Sequence, residues 1–254
     1  MRLQTPFRAQ CFVILTFFVF AANAQTTNQA FAVRAEKEFA RTKGNLAAHQ
    51  NDPGVTIQFC RAAYALAELA TNPPQRASAA QAGISACQNL LARDAKSAAG
   101  HYYLAMSLGE LAEAEAPSLH AYKLVKEIER EFKTAADLDV KYDFAGPARC
   151  LGLLYRDAPG WPVSSGSKHK AREWLDRAAA ISPDFPENQL NLAETHVRWR
   201  DAAAAEKALE KLDVIWPEAK KNLSGEEWDS FWDDWTTRRA NVKAEFEQVF
   251  KRVP

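Results

Sequence analysis

The chain has 254 residues, of which 47% are hydrophobic, and its 32 basic and 32 acidic residues give a formal net charge of zero. This length suffices for one domain or one array of repeats with a sizeable core. The balanced charge argues against a nucleic acid or an anionic membrane as partner, because such partners favour a clustered basic face.

The N-terminus has the pattern of a cleavable signal peptide. Arg2 and Arg8 lead into the apolar stretch 11–20, and Ala22-Asn23-Ala24 is an A-x-A cleavage pattern. An uncleaved membrane anchor is the alternative, but the apolar stretch is roughly half the ~20 residues that a spanning helix needs. We therefore expect residues 1–24 to be removed, leaving a periplasmic or secreted chain with no transmembrane span.

Helical periodicity dominates the remainder of the chain. Apolar residues recur every three or four positions and strand-like alternation is missing, so the sequence predicts an all-α fold with little or no sheet. The predicted helices, in chain order, lie around 29–49, 55–70, 76–92, 101–108, 132–139, 148–155, 171–183, 188–194, 205–212 and from 224 onward.

Two of the three cysteines in the expected mature chain are placed to meet. Cys60 and Cys87 lie equally far from the predicted turn at Asn72-Pro73-Pro74, so an antiparallel helical hairpin would bring them face to face. The pair is either a disulfide or two small buried core residues. Cys150, on an apolar helix face, is predicted to be a buried packing residue.

The later helix pairs resemble the tetratricopeptide repeat (TPR), whose 34-residue unit has Leu-Gly or Leu-Ala in its first helix, small residues in its second and a terminal proline. Leu151-Gly152 and Leu192-Ala193 stand at the close-packing positions, and Pro183 and Pro217 are 34 residues apart. In the second helices, the small residues Ala178 and Ala208 match the family pattern.

This resemblance implies a TPR-like α-solenoid of stacked antiparallel helix pairs with helical caps. The predicted domains are a signal peptide (1–24), an N-terminal capping helix (25–52), repeats (53–217) and a C-terminal capping helix (218–254). Two segments, 113–118 and 157–166, are predicted loop insertions, which in solenoids lie at one edge where partners often bind.

The last helix carries an aromatic stripe, and Ser224 to Glu227 has the pattern of a capping box at its start. The stripe predicts a cap packed on the last repeat, with an exposed partner-binding face as the alternative. Its members are Trp228, Phe231, Trp232, Trp235, Val242, Phe246, Val249 and Phe250.

A narrower stretch resembles the periplasmic T-component proteins of tripartite ATP-independent periplasmic (TRAP) transporters. The resemblance is carried by Gly146-Pro147, Leu151-Gly152, Ala158 to Pro162, Gly166 to Lys168, Ala171 and Ser182 to Asn188. It implies a helical repeat protein that partners a substrate-binding protein and binds a small ligand.

The sequence offers no motif for catalysis. The five histidines form no metal-binding spacing, and the nucleophile elbow and phosphate-binding glycine loops are missing from the sequence. We therefore expect no enzyme, no cofactor and no metal.

The best candidates for a ligand or partner site lie where the second inserted loop enters the following helix. Amides at this helix start, with neighbouring lysines, would suit an anion, while the alternative is ordinary N-cap and loop chemistry. The candidate residues are Trp161, Ser164, Ser165, Ser167, Lys168 and Lys170. The sequence thus predicts a non-enzymatic, exported TPR-type scaffold for a protein or peptide in the cell envelope, with a TRAP T-component as the alternative.

Overall fold

The computed structural model describes residues 21–158 and 165–251, and within these ranges it contains ten α-helices and no β-strand. The helices are α1 Ala21–Ala48, α2 Pro53–Glu68, α3 Pro73–Leu91, α4 Ala98–Glu115, α5 Leu119–Leu138, α6 Tyr142–Asp157, α7 Lys168–Ile181, α8 Pro186–Arg198, α9 Ala202–Asn222 and α10 Asp229–Phe246. A 3-10 turn, Glu226–Trp228, precedes α10, and a π-helical turn, Glu247–Lys251, follows it. Consecutive helices pack on one another from α1 to α5 and from α7 to α10, so the predicted all-α, TPR-like arrangement of helix pairs is confirmed.

The helices belong to two units. Among the described residues, 21–139 with 157, 158 and 165 form the N-terminal unit, and 140–156 with 166–251 form the C-terminal unit. Among the described helices, none is both long and apolar enough to cross a membrane. The predicted signal peptide lies largely outside the described residues, which begin within it at Ala21.

In the N-terminal unit, polar caps start the helices and small residues let them approach. Asp52 accepts a hydrogen bond from Gly54 N at 2.8 Å at the start of α2, and Asn72 accepts one from Gln75 N at 2.9 Å at the start of α3. Helix α4 packs against α2, α3 and α5 and is buried around its whole circumference between Ala99 and Ala112. It is therefore an internal helix rather than the wall of an open groove.

The two cysteines predicted to meet do so at the interface of α2 and α3. Both Cys60 and Cys87 are fully buried, and their Cα atoms lie 5.9 Å apart, a separation typical of disulfides. Cys150 is a buried free thiol on α6. Oxidation of the Cys60–Cys87 pair to a disulfide remains a prediction.

In the C-terminal unit, the aromatic stripe of α10 is core. Trp235 is completely buried, with Phe185 5.3 Å and Trp232 5.0 Å away between ring centroids. Trp228, Phe231, Val242 and Phe246 join the same cluster, which includes apolar residues of α8 and α9. The stripe therefore packs as a cap and does not form an exposed face.

Three details of the predicted elements are wrong. The loop expected at 113–118 is shorter, because α4 continues to Glu115 and only residues 116–118 link it to α5. The boundary expected at 217 falls within α9, because buried Ile215 and Ala219 continue the apolar face of the helix on both sides of Pro217.

The expected capping box at Ser224 is also missing. Gly225 adopts a φ of 110° and is the N-cap residue of a 3-10 turn, which has no hydrogen bond from a backbone N–H to a capping side chain. This φ is readily adopted only by glycine, and a Cβ on Gly225 would lie 2.8 Å from the Glu227 carboxylate. The glycine therefore allows the 3-10 turn that replaces the expected capping box.

Candidate functional site

The candidate site lies where the start of α7 meets the end of α8. These two helices pack together, and the short connection at 182–185 makes them antiparallel neighbours. The chain enters α7 through Ser167, whose backbone N–H donates to the carbonyl oxygen of Tyr155 on α6 at 2.8 Å. The Ser167 hydroxyl then accepts a hydrogen bond from Lys170 N at 3.4 Å and caps the helix.

Aromatic rings and cations alternate on this surface. Lys168 Nζ lies 4.9 Å from the ring centroid of half-buried Trp199, and Arg172 Cζ lies 5.7 Å from the same centroid. Lys170 Nζ lies 5.0 Å from the centroid of Tyr155. These separations are those of cation–π contacts, which hold the charged groups above the rings.

We call this surface the basic edge, and it consists of Trp199 and the exposed basic residues of the two segments beside it, Lys168, Lys170, Arg172, Arg198 and Arg200. Segments 165–176 and 196–201 carry these five basic residues and three acids, Glu173, Asp176 and Asp201, which gives a local charge of 5 − 3 = +2 in a chain of zero net charge. Asp201 is already engaged, since it caps α9 by accepting from Ala204 N at 3.3 Å and pairs with Arg172 at 3.3 Å.

His196 lies beneath the basic edge and is buried. Burial lowers its pKa, while Asp201 and Asp176 oppose that shift and Arg172 and Lys168 reinforce it. The Nδ1 atom is 3.8 Å from a carboxylate oxygen of Asp201, too far for a hydrogen bond. The direction of the shift is therefore set by burial, since the surrounding charges of both signs oppose one another.

The residues predicted as a site are only partly brought together. Ser167, Lys168 and Lys170 belong to the start of α7, whereas the Ser165 hydroxyl donates to Glu129 Oε2 at 2.5 Å. A carboxylate beside Ser165 opposes an anion there, so an anion site built on that hydroxyl lacks support. Trp161 and Ser164 lie outside the described residues.

Sequence reasoning missed Trp199 and the arginines of the edge. The signal was present in His196-Val197-Arg198-Trp199-Arg200, where cations at a helix C-terminus flank an aromatic residue. A charge summed over the whole chain conceals such a cluster, because it forms only when α7 and α8 pack.

A buried polar cluster holds the helices under the edge in place. Asp143, Phe144 and Ala145 have left-handed backbones with φ of 52°, 54° and 64°, a costly conformation for residues other than glycine. Fully buried Arg149 stabilises this turn, because its Nη1 donates to the carbonyl oxygen of Phe144 at 3.2 Å and its Nη2 to Asp143 Oδ2 at 3.4 Å.

Glu187, at the start of α8, extends this cluster towards α10. Its carboxylate oxygens lie 3.8 Å from Arg149 Nε and 3.8 Å from Arg238 Nη1. Burial raises its pKa to about 7, against the opposing effect of the two arginines. Arg238 also donates to Glu194 at 2.7 and 2.8 Å, which ties α10 to α8.

The N-terminal unit contains a cleft of about 230 Å³ between the α2–α3 turn and the end of α4. Arg76 lines it, pairs with Glu113, and lies 3.7 Å from buried Glu110 Oε2. Burial raises the pKa of Glu110 to about 8. The ionic groups of the cleft thus neutralise one another, and its volume is below the ~300–1,000 Å³ usual for small-molecule sites.

Over residues 21–158 and 165–251, no group of three or more His, Cys, Asp or Glu side chains is arranged to hold a metal ion.

Comparison with known proteins supports the fold. No protein-family model matches the chain, and no curated protein matches it. The solved structure of a thermophilic TPR protein from Thermus thermophilus is similar to it, with a TM-score of 0.58 at 18% identity over 87% of this chain and 96% of that chain. At this identity the likeness shows the fold alone, which is TPR-like; the T-component resemblance gains no support from these comparisons.

Proposed function

We propose that this chain is an exported, non-enzymatic scaffold that binds a protein or peptide partner in the cell envelope. The observation that carries the proposal is the TPR-like stacking of helix pairs, because such pairs hold a stable surface in place without contributing reactive groups of their own. The all-α, TPR-like fold is a property of the structure, and its use in protein interaction is part of the proposal.

The basic edge supplies a surface for that role. Interaction hot spots are enriched in tryptophan and arginine, and Trp199 is flanked here by Lys168 and Arg172. Internal helices such as α4 expose almost nothing between their ends, which favours contacts at helix termini and connecting segments over contacts along a groove.

Export is proposed from the N-terminal pattern of charge, apolar stretch and A-x-A cleavage site. A buried Cys60–Cys87 pair at disulfide separation is suited to an oxidising compartment. N-terminal sequencing of the fractionated protein tests this proposal, since export predicts an envelope protein beginning at Gln25. A cytoplasmic protein retaining Met1 would contradict it.

The scaffold proposal is tested by affinity capture. The mature chain, tagged at its C-terminus, serves as bait in a cross-linked envelope extract of its source, beside a variant whose residues 159–164 are replaced by six Gly and Ser residues. We expect a protein captured in near-stoichiometric amount, recovery of this chain when that protein carries the tag, and weaker capture by the loop variant. Failure to recover a stoichiometric protein in either direction would overturn the proposal.

The alternative proposal is a TRAP T-component that binds a small ligand and a substrate-binding protein. The quoted residues that resemble that family also have packing roles, since Asn188 Nδ2 lies within 3.2 Å of the carbonyl oxygens of Phe144, Ala178 and Ser182. Native mass spectrometry separates the two proposals, because a carrier should retain a bound small molecule in stoichiometric amount and a scaffold should not.

A further inference from the structure

We infer that the basic edge binds an acidic, extended polypeptide segment of the partner. This inference rests on the proposed scaffold function and adds the chemistry of the partner. Its basis is the contact of two cations, Lys168 and Arg172, with half-buried Trp199 at the junction of α7 and α8, in segments that carry three further exposed basic residues.

The basic edge carries an excess of positive charge. The edge carries a local charge of +2, with Glu173, Asp176 and Asp201 counted, although the chain as a whole is neutral, so net charge does not account for it. Asp201 neutralises Arg172 in part, at 3.3 Å, and Lys168, Lys170 and Arg200 are exposed. An opposite charge on the partner would both steer it to this edge and stabilise the complex.

The ring of Trp199 holds two of the cations in place. Trp199 is half-buried and lies beneath Lys168 and Arg172, so the ring and the two cations are already held together before a partner arrives. A preordered Trp–cation cluster reduces the side-chain entropy lost on binding. A carboxylate approaching the cations would therefore meet groups already in position.

The width of the edge favours a polypeptide over a membrane or a nucleic acid. Glu173 and Asp176 are exposed on α7 immediately beyond Arg172, and Asp201 lies at the start of α9. A flat anionic bilayer or a nucleic acid with a continuous run of phosphates would bring negative charge against these acids. A narrow peptide can lie across the cations alone.

The chain also carries an acidic segment of its own, which is a competing occupant. Residues 223–237 contain five acids and no basic residue, namely Glu226, Glu227, Asp229, Asp233 and Asp234. Binding between copies of the chain would use this segment, and the experiment must detect it.

The test uses fluorescence anisotropy of labelled 12-residue peptides with the purified mature chain in 50 mM salt. The probes are alternating Glu-Gly, Ser-Gly and Lys-Gly peptides and a 12-nucleotide oligothymidylate. We expect the Glu-Gly peptide to bind at least about tenfold more tightly than each other probe, and its affinity to fall steeply with added salt.

Charge reversal locates the binding surface. Lys168→Glu with Arg200→Glu should weaken Glu-Gly binding at least about tenfold, while Lys123→Glu with Lys126→Glu, which reverses two exposed lysines of α5, should leave it within about twofold. Circular dichroism checks that both variants are folded, and Lys168→Gln with Arg200→Gln gives an intermediate loss that does not depend on repulsion.

Three results would overturn the inference. Equal loss in both charge-reversed pairs would show attraction to net charge alone, and equal binding of the oligothymidylate would show a nucleic-acid surface. Self-association in size-exclusion chromatography that the Lys168→Glu, Arg200→Glu pair abolishes would make a second copy the occupant. The scaffold proposal fails separately, through the absence of a stoichiometric partner in affinity capture.

Discussion

Arg149 Nη1 donates a hydrogen bond to Asn188 Oδ1 at 3.3 Å, and both side chains are buried. Asn188 Nδ2 in turn lies 3.1 Å from the carbonyl oxygen of Phe144 and 3.1 Å from that of Ser182. The two residues thus join the left-handed turn that opens α6 to the connection between α7 and α8. The position of α8, and with it the basic edge, depends on this pair.

Replacing Asn188 should therefore be costly. Asn188→Ala removes an acceptor from a buried guanidinium and a donor from buried carbonyl groups, so we expect a loss of about 2–4 kcal/mol in the free energy of unfolding. Urea denaturation followed by circular dichroism measures it. Asn222→Ala, at the exposed end of α9, is the matched control and should change stability by less than about 0.5 kcal/mol. Equal effects of the two variants would show that the pair does not hold α8.

Gly152 tests the close approach of α6 and α7. A Cβ at this position would lie 2.6 Å from Leu175 Cγ and 3.0 Å from the Leu175 backbone nitrogen. Gly152→Ala should destabilise the protein by about 1–3 kcal/mol, because the backbone of α7 must move away. Gly44→Ala in α1, where nothing lies within 4 Å, should instead stabilise it by about 0.5–1 kcal/mol. Thermal unfolding of both variants gives the comparison, and a stabilised Gly152→Ala would contradict the packing described.

Glu110 predicts how stability depends on pH. Burial raises its pKa from an ordinary 4.5 to about 8, with Arg76 opposing and Glu113 reinforcing the shift. The folded chain therefore binds this proton more tightly than the unfolded chain does, so the contribution to stability is complete below pH 4.5 and is lost as pH rises through 8.

The measurable consequence is the slope of the free energy of unfolding against pH. Between pH 5 and pH 8 the free energy of unfolding should fall, by at most about 1.4 kcal/mol per pH unit for this one group, and Glu110→Gln should flatten the fall. Urea midpoints at pH 5, 6.5 and 8 measure the slope. Glu206→Gln, at an exposed position of α9, should keep the wild-type slope. An unchanged slope in Glu110→Gln would show that this carboxyl is ionised without cost in the folded chain.

The cysteine pair makes a prediction that thiol counting can check. The mature chain isolated from an oxidising compartment should incorporate one alkylating group when denatured without reductant, at Cys150, and three after reduction. Mass spectrometry of the alkylated protein reads the number directly. Incorporation of three groups without reductant would show that Cys60 and Cys87 are packing residues only.

Much of the fold follows from local sequence, because helical periodicity and polar caps act within a few residues. Asp52, Asn72, Ser97 and Ser167 begin helices close to where the pattern places them. Pro217 was misleading, because a proline that ends a repeat and a proline inside a helix are identical in sequence, and only the buried positions around it distinguish them.

The site was less predictable because it is non-local. Lys168 and Lys170 could be chosen from their place before a helix, but Trp199 and Arg200 join them only through the packing of α7 on α8. The burial of Arg149 was also hidden, since nothing in its immediate sequence shows that its partner Asn188 lies 39 residues away.

Hydrogen exchange of the mature chain, free and in complex with its captured partner, tests most directly the claim that the basic edge is the surface by which the scaffold binds. The account predicts slower amide exchange in segments 165–172 and 196–201 on binding, with the exposed face of α5 unchanged. A stoichiometric partner that leaves both segments unprotected, and protects another surface instead, would contradict it.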